Sequence, residues 1–522
     1  MASTTPQYTQ ANRPMSLSTP LGDDVLLLVK LSYAEELGRP FEMRLEMQSI
    51  DGEIDFNKIL GQSVTVTIQM PDNSSRYLNG IVRKFTQTVF DSPEGLYGYR
   101  AEVVPWISML ELTSNCQAYQ NQTIPQIISL VFQSFNFSDY TLNLTRDYTP
   151  RNFCVQYRES ASNFVHRLLE SSNINYHFVH SDGSHQIVFC DSMSNYLPFP
   201  GFEEIDYNPT QEMVMGKIND WSMDGQLSTG SVVLNDYDYT VPKENLTGTA
   251  TSQQPYSQGS YEYFDYPGYY NSQDDADRMA MLILLEKQCL QSTCRGGGPL
   301  VGISAGYKFT LGDFPRNDLN KDYLTISSTL TISGPPYAAV EIDETGDETL
   351  YRTDFTVIPA DVMYARPHTT PKPSVQGLET AVVVGPEEQT PYIPYTNKYG
   401  CVTVQFRWDR YGQNNQNSSN PIRVSQIAAR NESGAMFLPL VGDEVLVGFI
   451  AGDPDRPVII GSVYNGINQP VLDLANSNNA AFSYIHDVGG NVICWNPNPD
   501  TPCIVIYSPF GQTKQTFGAG GS

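Results

Sequence analysis

Short runs in which apolar and polar positions alternate dominate the first hundred residues of this chain. From Leu26 to about Val104 they include Val64-Thr65-Val66-Thr67-Ile68 and Gly80-Ile81-Val82-Arg83-Lys84-Phe85. A period of two is what a half-buried strand requires, so a β-barrel or strongly curved sheet is expected there. The period then changes. Thr123-Ile124-Pro125-Gln126 offers a capping box with proline in the first turn, and Ile127, Ile128, Val131 and Phe132 share one helical face. Ser160 or Ser162 can cap a second helix carrying Phe164, Val165, Leu168 and Leu169. A third is predicted from about Asp274 to Gln291, with acids at its positive end, Lys287 near its negative end and Arg295-Gly296-Gly297-Gly298 terminating it.

The Tyr-rich run Tyr256 to Tyr270 follows neither period, and no element is assigned to it. Strand patterns resume around Lys308 to Leu311 and Tyr323 to Ile332, and the proline-rich stretch Pro367 to Pro373 reads as a stiff linker. Beyond it lie five short β-branched runs: Val382 to Val384, Cys401 to Phe406, Ile422 to Ser425, Val445 to Phe449 and Val458 to Ile460. Each is bounded by Gly, Pro, Asn or Asp, as expected of a five-stranded OB-type barrel. After Pro470, Phe482 to Asp487, Gly489 to Asn496 and Cys503 to Ser508 read as strands separated by turns. One copy of that last segment is too small to bury its own apolar face.

Several phrases occur together in one order: Val104-Pro105-Trp106, Tyr119 to Ile128, Asn152-Phe153-Cys154-Val155-Gln156-Tyr157-Arg158-Glu159-Ser160, Val404-Gln405-Phe406-Arg407-Trp408-Asp409, Ile422-Arg423-Val424, and Gly452-Asp453-Pro454-Asp455-Arg456-Pro457 through Asn465. In these the chain resembles VgrG, the spike protein of bacterial type VI secretion systems and a relative of contractile phage tail hubs. The resemblance implies a mainly β protein with a few helices: phage-hub-like β-barrels, an OB-fold barrel and the start of an intertwined, trimeric β-prism. The corresponding division is a flexible tail over residues 1–20, a base of two barrel-like parts with helical insertions over 21–370, a linker over 371–380, an OB neck over 381–470 and a needle over 471–522. The expected needle is either short or cut off. Two departures stand out: Asn420-Pro421 precedes Ile-Arg-Val, and Ala429 to Gly434 replaces a Trp/Gly-rich loop.

The formal charge is −26, and it is uneven. Residues 381–470 hold eight acids and six bases and residues 471–522 three acids and one base, which leaves −22 on the first 380. Such acidity disfavours nonspecific attraction to nucleic acid or to anionic membrane. Met1 to Pro20 is polar and lacks the apolar core of a secretory leader, and no run approaches the ~20 apolar residues of a membrane span. A protein made in the cytoplasm is therefore expected, its eight cysteines reduced and buried.

Five constellations could carry chemistry. Gly302-Ile303-Ser304-Ala305-Gly306 has the spacing of a nucleophile elbow, but the residues after it read as a strand or turn where that motif needs a helix. His177, His180 and His185 could suggest a metal, yet positions three apart on a strand face opposite ways. Cys289 and Cys294 lack a second ligand pair. Phe406, Trp408 and Tyr411 could stack nucleic-acid bases, without the positive groove that such binding needs. Asp453 and Asp455 form a carboxylate pair inside a proline-fixed turn, where Arg456 can neutralise a neighbouring acid. The expectation is that none is catalytic, cofactor-binding or metal-binding.

The function implied by the resemblance is a noncatalytic homotrimeric spike that caps the Hcp tube. Sheath contraction drives it through the target membrane, out of the cell without a signal peptide, carrying effectors or a PAAR tip. Its partners would be Hcp, a PAAR-repeat tip protein, baseplate proteins and effectors or adaptors. One alternative is the hub of a phage tail or extracellular injection device. Another is a spike bearing an effector enzyme, for which the dozen or so residues from Pro470 to Ala481 leave no room between neck and needle.

Overall fold

In a computed structural model of the chain, the described residues are 8–11, 13–88, 95–209, 214–335, 337 and 349–518. They form a mainly β fold with helices α1 (Ile124–Ser134), α2 (Ala161–Ser171) and α3 (Gln273–Gln288). The chain divides into two units. The first is Met1–Thr113, Ile124–Tyr148 and Ser160–Pro371, and the second is Ser114–Thr123, Thr149–Glu159 and Lys372–Ser522.

The first unit is organised by a twelve-stranded sheet. Its main path runs Met15–Ser18, Ser63–Gln69, Ser75–Gln87, Tyr97–Val104, Glu42–Ser49, Leu27–Glu36, Asp322–Ser333, Leu350–Pro359, Ser292–Gly298 and Asp220–Gly225, with every neighbour antiparallel. Alternation sets which face is buried: in Leu27–Glu36, Leu31, Tyr33 and Glu35 turn inward while Ala34 and Glu36 are exposed. The strand-rich parts before and after the helices thus join in one sheet through Leu27–Glu36 and Asp322–Ser333. A hairpin of Asn175–Ser181 and Ser184–Cys190 packs beside α1 through Phe189 on Phe132 and beside α2 through Tyr176 on His166, and α2 begins where Ser160 Oγ accepts from Asn163 N at 3.0 Å.

Four expectations need correction. Residues 13–20 are not a free tail, because Met15–Ser18 pairs with Ser63–Gln69 and buries Met15 and Leu17. Gln10 anchors this edge, its amide oxygen accepting from Leu17 N at 2.8 Å and Leu28 N at 3.2 Å. Residues 1–7 and 12 lie outside the described residues. Helix α3 ends at Gln288, and Arg295–Gly298, read as its terminator, belongs to strand Ser292–Gly298, where a Cβ on Gly296 would lie 2.5 Å from the Phe355 ring. Residues 114–123 and 149–159, placed by sequence in the base, group with the second unit, because Asn115–Tyr119 and Cys154–Glu159 pair and Phe153, Val155 and Tyr157 enter the barrel core. The stretch 371–380 is not a bare linker, since Val375 is buried in that core and Glu379–Val384 begins the barrel.

The five barrel strands run Thr403–Phe406, Glu379–Val384, Glu444–Phe449, Pro457–Val463 and Arg423–Val424. Downstream, Ser483–His486, Val492–Asn496, Cys503–Ser508 and Thr513–Gly518 make a four-stranded antiparallel meander.

Candidate assembly interface and the buried polar sites

Ser304, His180 and His185 meet in the core of the first unit, in one hydrogen-bonded chain. Ser304 Oγ donates to Glu35 Oε1 at 2.6 Å, and Ala305 N and Ser328 Oγ donate to the same oxygen at 3.0 and 2.8 Å. Arg76 donates to Ser304 Oγ at 3.2 Å and to the Val301 carbonyl. Tyr33 donates to Glu35 Oε2 at 2.9 Å and lies 3.0 Å from His180 Nε2. Asn79 joins the two histidines: its backbone N donates to His180 Nδ1 at 3.1 Å, and its Oδ1 lies 2.8 Å from His185 Nδ1. His185 Nε2 accepts from Trp106 N at 3.1 Å.

These donors fix the tautomers. His180 must carry its proton on Nε2 and His185 on Nδ1, so all four ring nitrogens are engaged and both rings are neutral. Burial pushes the His185 pKa down to about 4 and that of His180 well below its ordinary value, with the Arg76 charge adding to the effect on His180. Burial, reinforced by Glu35, also raises the Tyr33 pKa. Ser304 therefore bonds a carboxylate and a guanidinium, and strand Lys308–Gly312 follows its turn instead of a helix. Gly306 has φ +84° and its Cβ would lie 2.5 Å from His177, so its place in the elbow-like spacing answers to backbone and packing. His177 points away from the other two, toward Tyr196 and Tyr307.

The remaining candidates are dispersed. Cys289 donates to the Ala365 carbonyl at 3.2 Å in one hydrophobic cluster, whereas Cys294 sits in another. None of the eight cysteines is joined to another by a disulfide. Phe406 and Trp408 stack at 4.7 Å against the barrel core, while Tyr411 is at the surface and accepts from Asn115 Nδ2 at 3.3 Å.

The Gly452 to Pro457 turn has a cation that its own sequence does not supply. Lys372 Nζ lies 2.6 Å from Asp453 Oδ1 and 2.8 Å from Asp455 Oδ2, closer than Arg456 Nε, 3.7 Å from Asp453 Oδ2. Asp455 Oδ1 also accepts from Val155 N at 2.7 Å. One turn thereby ties together the start of the last segment of the second unit, strand Cys154–Glu159 and the barrel. Burial works against the Lys372 charge, but Asp455 and Asp453 outweigh it and raise the pKa. Lys372→Met would leave the buried Asp453 and the half-buried Asp455 without their nearest cation and should destabilise the barrel by about 3 kcal/mol. Denaturant unfolding followed by Trp408 fluorescence measures this. Adding Asp453→Asn and Asp455→Asn should restore part of the loss, and a single variant within about 1 kcal/mol of the parent would refute the assignment.

The meander at the end of the chain has almost no interior of its own. Cys494 is the only buried residue in 471–518. Cross-strand register places Ile485, Ile493 and Ile506 in one row of a face and Trp495, Ile504 and Phe517 in the next. Ile485, Trp495, Ile504, Ile506 and Phe517 are 37–54 % exposed. Among the described residues none buries this face, and an exposed apolar face of this kind is a candidate for assembly.

Comparison with known proteins places this arrangement. The phage tail baseplate hub (GPD) family matches residues 34–335, and the type VI secretion system/phage-baseplate injector OB domain matches residues 395–464. The type VI secretion system spike protein VgrG1a of Pseudomonas aeruginosa is 35 % identical over 491 residues, covering 93 % of this chain and 75 % of its own length. The chain belongs to the VgrG family of type VI secretion system spike proteins.

Other VgrG relatives are longer. VgrG3 of Vibrio cholerae is 32 % identical over 439 residues, covering 82 % of this chain and 41 % of its own length. The actin cross-linking toxin VgrG1 of the same species is 34 % identical over 407 residues, covering 76 % of this chain and 36 % of its own length. The fold is shared with Escherichia coli c3393, a type VI component similar to the T4 tail proteins gp27 and gp5, at a TM-score of 0.60 and 19 % identity, over 86 % of this chain and all of that one. It is shared also with the chain matched in a Francisella PdpA–VgrG complex, at a TM-score of 0.64 and 11 % identity, over 97 % and 77 %. Lys372, the cation of the barrel turn, lies outside the region that the OB family matches. No helix among the described residues is long and apolar enough to cross a membrane.

Proposed function

We propose that this VgrG chain works as a noncatalytic homotrimer. Residues 21–370 supply most of the base against the Hcp tube, residues 381–470 the neck, and residues 471–522 the root of a needle that carries a PAAR tip or effectors. The protein is assembled in the cytoplasm with baseplate proteins and driven out by sheath contraction. The observation that carries this reading is the uncovered Ile485, Ile493, Ile506, Trp495, Ile504 and Phe517 face. Three copies wrapped around a common axis turn three such faces into one core and leave no free strand edge, which gives a shaft its stiffness. Support for a structural role comes also from Ser304, His180 and His185, whose polar atoms are engaged in holding strands together.

The test is the solution mass of the intact chain. A three-chain mass is expected at micromolar concentration, and Ile493→Lys with Ile506→Lys should give single chains whose first unit stays folded. A parent that runs as a monomer or as a two-fold pair would overturn the proposal. Binding of purified Hcp hexamers by the trimer separates a secretion spike from the hub of a phage-like device, the reading that the GPD match also permits. Turnover of actin or peptidoglycan by the pure chain would contradict the noncatalytic assignment.

A further inference from the structure

Residues 227–288 of the first unit build a small module of their own. Strand Ser231–Leu234 lies between Gly248–Thr251, antiparallel, and Glu262–Asp265, parallel. Helix α3 covers one face of this sheet, burying Val232, Leu234 and Ala250 against Ala276, Ala280 and Leu284. It packs so closely that a Cβ on Gly248 would lie 2.2 Å from the Ala276 carbonyl oxygen. On the opposite face Val233 is half-buried and its register partner Phe264 is 60 % exposed.

At the end of the two parallel strands further aromatic residues stand in solvent. Tyr237 follows one strand, and Tyr266 and Tyr269 follow the other, at 54, 53 and 52 % exposure. A single buried carboxylate fixes the loops that carry them: Asp236 accepts from Tyr237 N at 2.7 Å, Tyr269 N at 2.6 Å and Tyr270 N at 3.3 Å. Gly268 N adds a bond to the Asn235 carbonyl at 3.0 Å. These rings are therefore presented by rigid backbone, so a ligand would not have to order the loops on binding. Acids adjoin these rings along the chain: Asp238 follows Tyr237, Asp265 precedes Tyr266, and Glu262 is two positions from Phe264 on the same strand, while residues 227–272 hold five acids and one base.

We propose that this aromatic, acidic surface docks an arginine-bearing segment of a separate protein. Aromatic faces with carboxylates beside them attract guanidinium groups by charge and by stacking. The same acidity opposes nucleic acid and anionic lipid, and it opposes docking of this surface on its own counterpart in another copy. This goes beyond the spike assignment and does not rest on it.

The test uses the intact chain and a fluorescent peptide of alternating arginine and leucine, with its lysine counterpart, at about 0.15 M salt. The arginine peptide should bind more tightly than the lysine one. Tyr237→Ser with Phe264→Ser removes two exposed rings and leaves the charge unchanged, and should weaken binding roughly tenfold. Tyr392→Ser, which removes a 64 % exposed ring in the second unit, should have no effect. Equal binding by the double variant would reduce the effect to general charge attraction and overturn the proposal. A Phe264→Cys thiol shielded from maleimide in the assembled protein without peptide would also overturn it, by showing the surface buried between copies.

Discussion

Lowering the pH from 7 to 5 is expected to remove about 6 kcal/mol from the stability of the first unit. His166, His177 and His185 each have a pKa pushed down to about 4. Burial is the main cause in each case, joined for His166 by the Arg366 charge. In the unfolded chain these groups return to about 6.5. Above that value both states are neutral and the histidines cost nothing. As the pH falls below it the unfolded chain takes up protons that the folded one refuses, and stability drains away until the folded values near 4 are reached. Each histidine then costs about 2 kcal/mol at pH 5. His180, shifted in the same direction, adds to the loss.

The depressed carboxylates Glu170 and Asp191 act only at lower pH, near the ordinary carboxylate range. Hydrogen exchange of the intact chain at pH 7, 6 and 5 measures the effect within the first unit. His177→Leu should retain about 2 kcal/mol more of its pH 7 stability at pH 5 than the parent does. A parent whose protection is flat from pH 7 to 5, or a variant with an unchanged slope, would show that these rings are not held neutral.

Arg366→Met should destabilise the same unit by about 3–5 kcal/mol. The Arg366 and Glu170 side chains are 3 % and 1 % exposed, and they pair at the end of α2. Glu170 also accepts from Thr369 N at 3.2 Å, Thr370 N at 2.9 Å and Thr370 Oγ1 at 2.8 Å, and Arg366 donates to the Gly38 carbonyl. This knot holds the stretch through Thr370 against the helix. Burial raises the Glu170 pKa, but Arg366 and the threonine bonds outweigh it and the net shift is downward. Removing the guanidinium leaves a carboxylate buried and uncompensated, so α2 amides should exchange faster. Adding Glu170→Gln should recover part of the loss, because a neutral amide costs less to bury. A single variant with parental protection in α2 would rule this role out.

Much of the site was within reach of the sequence. Glu35 occupies the inward phase set by Leu31 and Tyr33, and His185 that of Ile187 and Phe189. A polar group in a core phase signals a buried network, although the partners, Asn79 of His185 and Ser304 of Glu35, lie 106 and 269 residues away. The Tyr-rich run was unreadable because its one strand, Glu262–Asp265, has four residues and is completed by a parallel neighbour and a helix. The glycines at 296–298 looked like a stop signal because local propensity outweighs packing when only neighbours in sequence are visible. Neighbouring strands require them small.

Periodicity and turn chemistry, which act between residues a few positions apart, determined the strands of the barrel, the three helices with the Ser160 cap, and three of the four meander strands, Thr513–Gly518 being the one left out. Tertiary structure alone decided that residues 114–123 and 149–159 leave the base for the barrel unit, that Lys372 is the counter-ion of Asp453 and Asp455, and that Ser304 and the two histidines meet around Glu35 and Asn79. Those choices follow from which buried charge or open sheet edge finds a partner, and the partner is fixed by where the chain returns in space.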